Sequence, residues 1–125
     1  MVIIKMKYSK HEDERGYFRE LVKFEQGFPL IKQISKFTIN PDKQRGNHFH
    51  KYTWEVFIVE SGTVKCTLHS FVKNETKEEI LEEGDGRVLI VGPMVNHTFY
   101  SEKGCEIIVL SSKVFNPQDP DTYVY

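Results

Sequence analysis

The sequence predicts a single all-β domain of the sandwich or barrel class, and three observations support that prediction. Short runs that contain β-branched and aromatic residues recur between turn residues, at the spacing typical of such folds. No stretch has the apolar spacing of a long amphipathic helix. At 125 residues, with 39% hydrophobic and 28% charged residues, the chain has the size and composition of one globular domain, which we expect to span residues 1–125.

Nine segments are candidate strands because each is bounded by residues that favour turns. They are residues 2–8, 17–24, 31–39, 47–50, 55–60, 63–70, 88–91, 96–100 and 106–112. The turns between them carry Gly, Pro, Asn or Asp and lie at 14–16, 40–42, 61–62, 83–86, 92–93 and 103–104.

Two segments and two thiols fall outside this regular pattern. Residues 73–79 are strongly polar, which indicates a loop or hairpin tip on the solvent side. The tail 116–125 holds two prolines and is expected to lie extended across the domain or a partner subunit. Cys66 and Cys105 sit singly in apolar runs, so we expect two buried free thiols and no disulfide.

Charge and hydropathy exclude two classes of partner. Lys and Arg number 17 against 18 Asp and Glu, so the net charge of -1 provides no basic field for nucleic acid. No apolar run approaches the roughly 20 residues of a membrane span. Lys5 and Lys7 interrupt the N-terminal apolar run too early for a signal peptide. We therefore expect a cytoplasmic protein without a nucleic-acid or membrane partner.

Three histidines and a glutamate form the informative constellation. In a strand, residues i and i+2 face the same side, so His48 and His50 should point together into a barrel while Phe49 points out. Glu55 opens the next strand and His97 comes from a later hairpin, which could bring all four polar side chains to one centre. Three imidazoles and a carboxylate suit a borderline divalent metal, with zinc as the first expectation, although such a set does not choose among metals.

These residues resemble the cupin family. The run Gly46…His48-x-His50-x4-Glu55-x6-Gly62 is similar to the first cupin motif, and residues 86–97 resemble the second with a shortened proline-to-histidine gap. The resemblance implies a jelly-roll β-barrel, usually dimeric, with the metal or active site inside the barrel.

Further segments resemble cupins that act on nucleotide-activated 4-keto-6-deoxyhexoses. Residues 13–20 and 45–50 are similar to the paired motifs of these cupins, and residues 45–51 match the Arg-Gly-x-His-x-His-Lys pattern of the dTDP-sugar 3,4-ketoisomerases. The ending 114–123 resembles the C-terminal cupin domain of capsular UDP-sugar epimerase/reductases, and so does Glu55, where the ketoisomerases usually carry Gln. The related 3,5-epimerases have a lysine near position 55 and a tyrosine near 114, and this chain has neither.

The resemblance implies an isomerase or epimerase acting at C3 and C4 of such a sugar in capsule or O-antigen biosynthesis. A base removes the C3 proton next to the keto group, and His48 is the first choice, with His50 as its neighbour. Tyr52 and Tyr100, each adjacent to a motif, are the candidate acids. A histidine that holds a metal through its lone pair is not a free base. Either a metal polarises the ketone, or His48 and His50 shuttle protons without one.

The same resemblance implies substrate contacts and partners. Arg15, Phe18 and Glu20 correspond to residues that touch the nucleotide, often across a subunit boundary, and Arg45 could pair with the diphosphate. A homodimer is expected, and a separate reductase or aminotransferase could act in the same pathway. Two other readings stay open, namely a non-catalytic sugar-binding cupin and an Fe(II) cupin dioxygenase that consumes O2.

Overall fold

The computed structural model describes residues 10–24 and 29–125, and in these ranges it contains ten β-strands and no helix. The strands are β1 (Lys10–Asp13), β2 (Gly16–Arg19), β3 (Gln33–Ile39), β4 (Lys43–Phe49), β5 (Glu55–Ser70), β6 (Glu75–Glu82), β7 (Leu89–Val91), β8 (Val95–Ser101), β9 (Cys105–Ser111) and β10 (Tyr123–Val124). The all-β prediction is confirmed. The candidate strand at 2–8 lies outside the described residues.

The strands form a curled antiparallel jelly-roll barrel with a separate hairpin made by β1 and β2. One side of the barrel has the order β3-β9-β5-β7, and the other has the order β10-β4-β8-β5-β6. Strand β5 belongs to both sides, since residues 55–62 pair with β9 and residues 63–70 pair with β6. This is the architecture that the cupin resemblance implies.

Strand β5 bends at Ser61 and Gly62, where the sequence predicts a turn. Its register with β9 shifts between Val59 and Ser61. Gly62 has a φ of 83°, and a Cβ there would collide with the carbonyl oxygen of Gly104, so glycine is required. The predicted turn is wrong, because the two residues bend one long strand from one side of the barrel to the other.

The polar segment 73–79 is also mostly strand. Residues 73 and 74 lie in the hairpin after β5, but Glu75 and the residues after it pair with β5 in β6. Nearly every side chain of β6 is exposed, and Leu81 alone among its residues is buried. Because most of β6 is solvated on both faces, residues 75–79 show no apolar alternation, and the sequence pattern resembles that of a loop.

Apolar side chains pack on both faces of β5. The barrel interior is closed by residues such as Phe57, Leu68, Phe99 and Ile107, and the opposite face carries Trp54, Val56, Ile58, Val88 and Ile90. Both cysteines are buried and free, as expected.

The tail lies across its own domain. Strand β10 pairs with β4, with Tyr123 opposite Phe49 and Val124 opposite His48. This confirms the expectation of an extended tail and brings the C-terminal residues beside the histidine strand. The described ranges contain no helix long and apolar enough to cross a membrane.

Candidate active site

A β-bulge in β4 turns Arg45 and His48 toward the same cavity. Gly46 is paired in the normal register with β8, and His48 pairs with His97, so Asn47 is an extra residue between them. Gly46 and Asn47 have φ values of 95° and 63°, which Gly and Asn adopt most readily. A Cβ at position 46 would lie 2.6 Å from the carbonyl oxygen of His97. The bulge shifts the side-chain alternation, so residues three apart share one face.

The structure brings the four predicted polar side chains together. The ring centroids of His48 and His97 are 4.6 Å apart, and His50 lies 5.2 Å from His48 and 5.3 Å from His97. One potential ligand atom from each histidine lies within 4.8 Å of those of the other two. Glu55 Oε1 is 2.6 Å from His50 Nε2 and 3.5 Å from His97 Nε2.

Backbone carbonyls orient two of the three imidazoles. Nδ1 of His50 lies 2.5 Å from the carbonyl oxygen of Asp121, and Nδ1 of His97 lies 3.1 Å from that of Val95. A carbonyl only accepts hydrogen bonds, so each Nδ1 carries the proton and each Nε2 faces Glu55. His48 makes no such hydrogen bond within the described part of the chain.

Burial and the carboxylate set the charge state of the cluster. Burial lowers the pKa of His97 to about 4. Burial, aided by the neighbouring His50, also lowers the pKa of His48. For His50, burial opposes the charged form, but the contacts with Glu55 and Asp121 together outweigh it and raise the pKa. The contact with His50 lowers the pKa of Glu55 against the effect of its burial, so the carboxylate is charged at neutral pH.

The donor set fits a divalent metal ion. His50 Nε2 and Glu55 Oε1 are buried and 2.6 Å apart, yet within the described residues neither atom makes an aligned hydrogen bond. The Nε2 of His97 faces the same oxygen. Lone pairs directed at a carboxylate repel it unless a proton or a cation lies between them. Imidazole and carboxylate are ligands that zinc and its neighbours accept, and backbone carbonyls commonly orient metal-binding histidines.

The cluster lines a cavity of about 1030 Å³, which has room for an organic ligand of considerable size. One wall is aromatic, with Phe37, Phe57 and Phe99. Two cationic side chains, Arg45 and Lys113, also line the cavity. The Nε of Arg45 donates to the carbonyl oxygen of Thr38 at 2.8 Å, which fixes the orientation of the guanidinium.

The sequence matches the polysaccharide biosynthesis C-terminal domain family over residues 11–123. The chain belongs to this family. The UDP-2-acetamido-2,6-β-L-arabino-hexul-4-ose reductase of Pseudomonas aeruginosa is 26% identical over 115 residues, which are 90% of this chain but only 30% of the reductase. The spore coat polysaccharide biosynthesis protein SpsL of Bacillus subtilis is 26% identical over 123 residues, which cover 92% of this chain and 82% of SpsL.

This chain is also similar to a sugar isomerase of known structure. A mutant of the 3,4-ketoisomerase QdtA of Thermoanaerobacterium thermosaccharolyticum, in complex with TDP-4-keto-6-deoxyglucose, has a TM-score of 0.79 and 25% identity. The match covers 100% of this chain and 90% of that chain. These findings confirm the resemblance to cupin-type sugar-modifying enzymes.

Three of the predicted substrate residues lie away from the cavity. Arg15, Phe18 and Glu20 belong to the β1–β2 hairpin and the residue after it, and none of them lines the cavity. Arg15 pairs with Asp13 at 2.6 Å, and Glu20 pairs with Lys23 at 3.0 Å. Within one chain, the fold therefore joins Arg45 to the histidine cluster but leaves the other three apart from it.

The structure contradicts the assignment of Tyr100 as an acid in this cavity. Along β8, His97 and Phe99 face the cavity, so Tyr100 faces the other side. Its hydroxyl donates to Asp42 Oδ1 at 2.6 Å, and this bond raises the pKa of Tyr100. Adjacency to the second motif was the reason for the prediction, and strand alternation overturns it.

Sequence reasoning missed two residues beside the cluster. Asp121 contacts His50 from the tail, and Lys113 lines the cavity after β9. The similarity of the ending at 114–123 to capsular enzymes pointed to this segment but gave no role to Asp121. No periodic pattern could have found it, because the contact with His50 spans 71 positions of the chain.

Proposed function

We propose that this chain is a nucleotide-sugar isomerase or epimerase that acts at C3 and C4 of a 4-keto-6-deoxyhexose in cell-surface polysaccharide biosynthesis. The observation that carries the proposal is the cluster of three histidines and Glu55 inside a cavity large enough for such a ligand. The likeness to a 3,4-ketoisomerase crystallised with a TDP-4-keto sugar, over the whole chain, supports it.

His48 is assigned the proton transfer. A ketone at C4 acidifies the hydrogen on C3, so a neutral imidazole can remove it while the developing enediolate is stabilised. His48 lines the cavity, and its pKa is lowered by burial. Among the residues that the structure describes, no backbone carbonyl accepts a hydrogen bond from its ring. Return of the proton to the other face of C3 gives an epimer, and protonation at C4 gives the 3-keto isomer.

His50, His97 and Glu55 are assigned to a divalent metal, for which zinc is the first expectation, and His48 is within reach as a fourth ligand. Such an ion, when bound, polarises a carbonyl oxygen. The backbone carbonyls behind His50 and His97 direct Nε2 of each toward the ion's position. His48 differs from these two histidines because no described backbone carbonyl orients its ring.

Arg45 and Lys113 are assigned to the diphosphate, because both cations line the cavity that holds the histidines. The nucleotide is UDP or dTDP: the name of the Pseudomonas aeruginosa reductase contains UDP, and the QdtA complex contains a TDP-linked sugar. The contact of Arg45 with the diphosphate should raise the affinity for the substrate without taking part in the proton transfer.

A second copy of the chain is proposed to supply the hairpin residues Arg15, Phe18 and Glu20. Tyr17 and Phe18 are 66% and 63% exposed, which suits a surface that packs on another subunit. The expectations of a cytoplasmic location and of a reductase or aminotransferase in the same pathway stay predictions.

NMR of UDP- and dTDP-linked 4-keto-6-deoxyhexoses with the purified protein in D2O tests this function. We expect deuterium at C3 and a rearranged product with one of the two nucleotides. Binding of the nucleotide sugar without exchange would favour a sugar-binding module. Consumption of O2 would favour a dioxygenase. Protein purified without chelator should hold about one equivalent of metal, and failure to bind added zinc would contradict the metal assignment.

A further inference from the structure

The C-terminal strap, defined as residues 113–122, forms one wall of the cavity. Eight of its ten residues line the cavity, from Lys113 to Thr122. The strap is held at both ends: the backbone N–H of Phe115 donates to Gln33 Oε1 at 2.9 Å, and β10 pairs with β4 directly after the strap. The strap therefore has a fixed position over the histidine cluster.

Asp121 joins the strap to four consecutive residues of the loop after β4. Its Oδ1 accepts a hydrogen bond from the backbone N–H of Lys51 at 2.9 Å. Its Oδ2 accepts from the backbone N–H of Tyr52 and from the hydroxyl of Thr53, each at 2.8 Å. Its main-chain carbonyl oxygen accepts from Nδ1 of His50 at 2.5 Å. Asp121 thus accepts hydrogen bonds from two backbone amides, one hydroxyl and one imidazole nitrogen.

The two parts of Asp121 have different consequences. The carboxylate makes three bonds, which fix the residue against the loop. Once the residue is fixed, its carbonyl oxygen has a defined position under His50. The proton is then held on Nδ1, and Nε2 is directed toward Glu55, 2.6 Å away.

We propose that Asp121 is a positioning residue: its carboxylate anchors the strap so that its own carbonyl oxygen holds the His50 imidazole with Nε2 toward the centre. The proposal rests on the proposed function only in taking His50 as a member of that centre. It assigns to the strap a role in the orientation of the centre, beyond closure of the cavity wall.

Asp119 provides a matched control. It lies two residues earlier on the strap and lines the same cavity, but it contributes none of the four bonds to residues 50–53. Replacing Asp119 or Asp121 by Ala removes the same charge from the same segment. A difference between the two variants therefore reports on the hydrogen bonds and not on the electrostatic field of a carboxylate.

The first readout is the proton on Nδ1 of His50, observed by NMR in 15N-labelled, chelator-treated protein and assigned with His50→Asn. We expect a proton protected from exchange in the wild type and in Asp119→Ala, and its loss in Asp121→Ala. The second readout is cobalt(II) affinity, which should fall about 10- to 100-fold in Asp121→Ala and less than about twofold in Asp119→Ala.

Asp121→Asn and Thr53→Val keep the test decisive if Asp121→Ala does not fold. Asp121→Asn keeps one acceptor oxygen, and Thr53→Val removes one of the three bonds, so each should lower cobalt affinity by about threefold and speed exchange of the His50 proton. An unchanged His50 proton in these variants, or equal losses in Asp119→Ala, would overturn the proposal. Neither readout uses a sugar. The role of Asp121 can therefore be tested even if the proposed isomerase activity is absent. If the wild type binds no cobalt, the NMR readout alone decides.

Discussion

The histidine centre and the β1–β2 hairpin are two parts of one predicted site, but the fold provides them differently. The centre is assembled from β4 and the residue after it, β5 and β8 of a single barrel, whose pairing brings His48 opposite His97. The hairpin forms its own two-stranded sheet, and its Arg15 and Phe18 do not reach the cavity of the same chain. One chain can therefore build the chemical centre, whereas the proposed nucleotide contacts of the hairpin require a second copy.

The largest expected effect tests whether the barrel that holds the centre is closed without that second copy. Burial raises the pKa of the fully buried Cys66 thiol to about 12, so its reactive thiolate is much scarcer at pH 8 than that of an exposed cysteine. We expect iodoacetamide to label Cys66 only on unfolding, at a rate that does not change on dilution, as followed by mass spectrometry. Rapid labelling of diluted native protein would mean that the barrel needs its partner.

Glu55→Ala should remove the negative partner of the centre while leaving the hairpin intact. Without the carboxylate, Nε2 of His50 and Nε2 of His97 lose their common anionic neighbour. Zinc affinity should fall by at least about 100-fold, since a ligand is lost and not merely reoriented. Calorimetric titration with zinc measures this, and Glu60→Ala, which lies outside the cavity, is the control. Equal affinity in wild type and Glu55→Ala would remove Glu55 from the metal site.

Mixed dimers test the hairpin directly. Arg15→Ala and His48→Asn should each be poorly active alone, but a subunit of one and a subunit of the other restore one complete site if sites are shared. Random exchange makes half of the dimers mixed, so the mixture should recover about a quarter of wild-type activity. A mixture no more active than the mean of its two components would contradict the sharing of Arg15 across a subunit boundary.

The smallest effect is expected at Tyr100. Tyr100→Phe removes a hydrogen bond to Asp42 on the outer side of β8 and no group that lines the cavity. We expect kcat/KM to stay within about twofold of wild type. A loss of more than about tenfold, in protein that melts normally, would restore Tyr100 as a candidate acid and would require a second site surface on the outer side of the barrel.

The sequence predicted the centre better than its surroundings because motif spacing and strand alternation act over short distances. The pair His48 and His50, Glu55 at a strand start and His97 on a later strand could all be placed from local patterns. The bulge at Asn47 was not foreseen, although it is what brings Arg45 to the same face. Alternation alone assigns Arg45 and His48 to opposite faces.

The same physical reason explains the errors in the fold. Glycine at position 62 is compatible with a turn between two strands and with a bend within one strand. The long-range pairing of β5 with β9 continues through Gly62, so the structure has a bend. Strand β6 is solvated on both faces except at Leu81, so it lacks the apolar period that marks other strands. Asp121 acts through a contact 71 positions away, which no local pattern encodes.

Exchange of the C3 hydrogen tests the central claim most directly, namely that the His48 centre abstracts a proton next to a keto group. With a UDP- or dTDP-linked 4-keto-6-deoxyhexose in D2O, the wild type should place deuterium at C3, and His48→Asn should reduce that rate by at least about 100-fold. Arg45→Ala should mainly raise the substrate concentration needed. An equal exchange rate in wild type and His48→Asn, or no exchange with either nucleotide, would contradict the account.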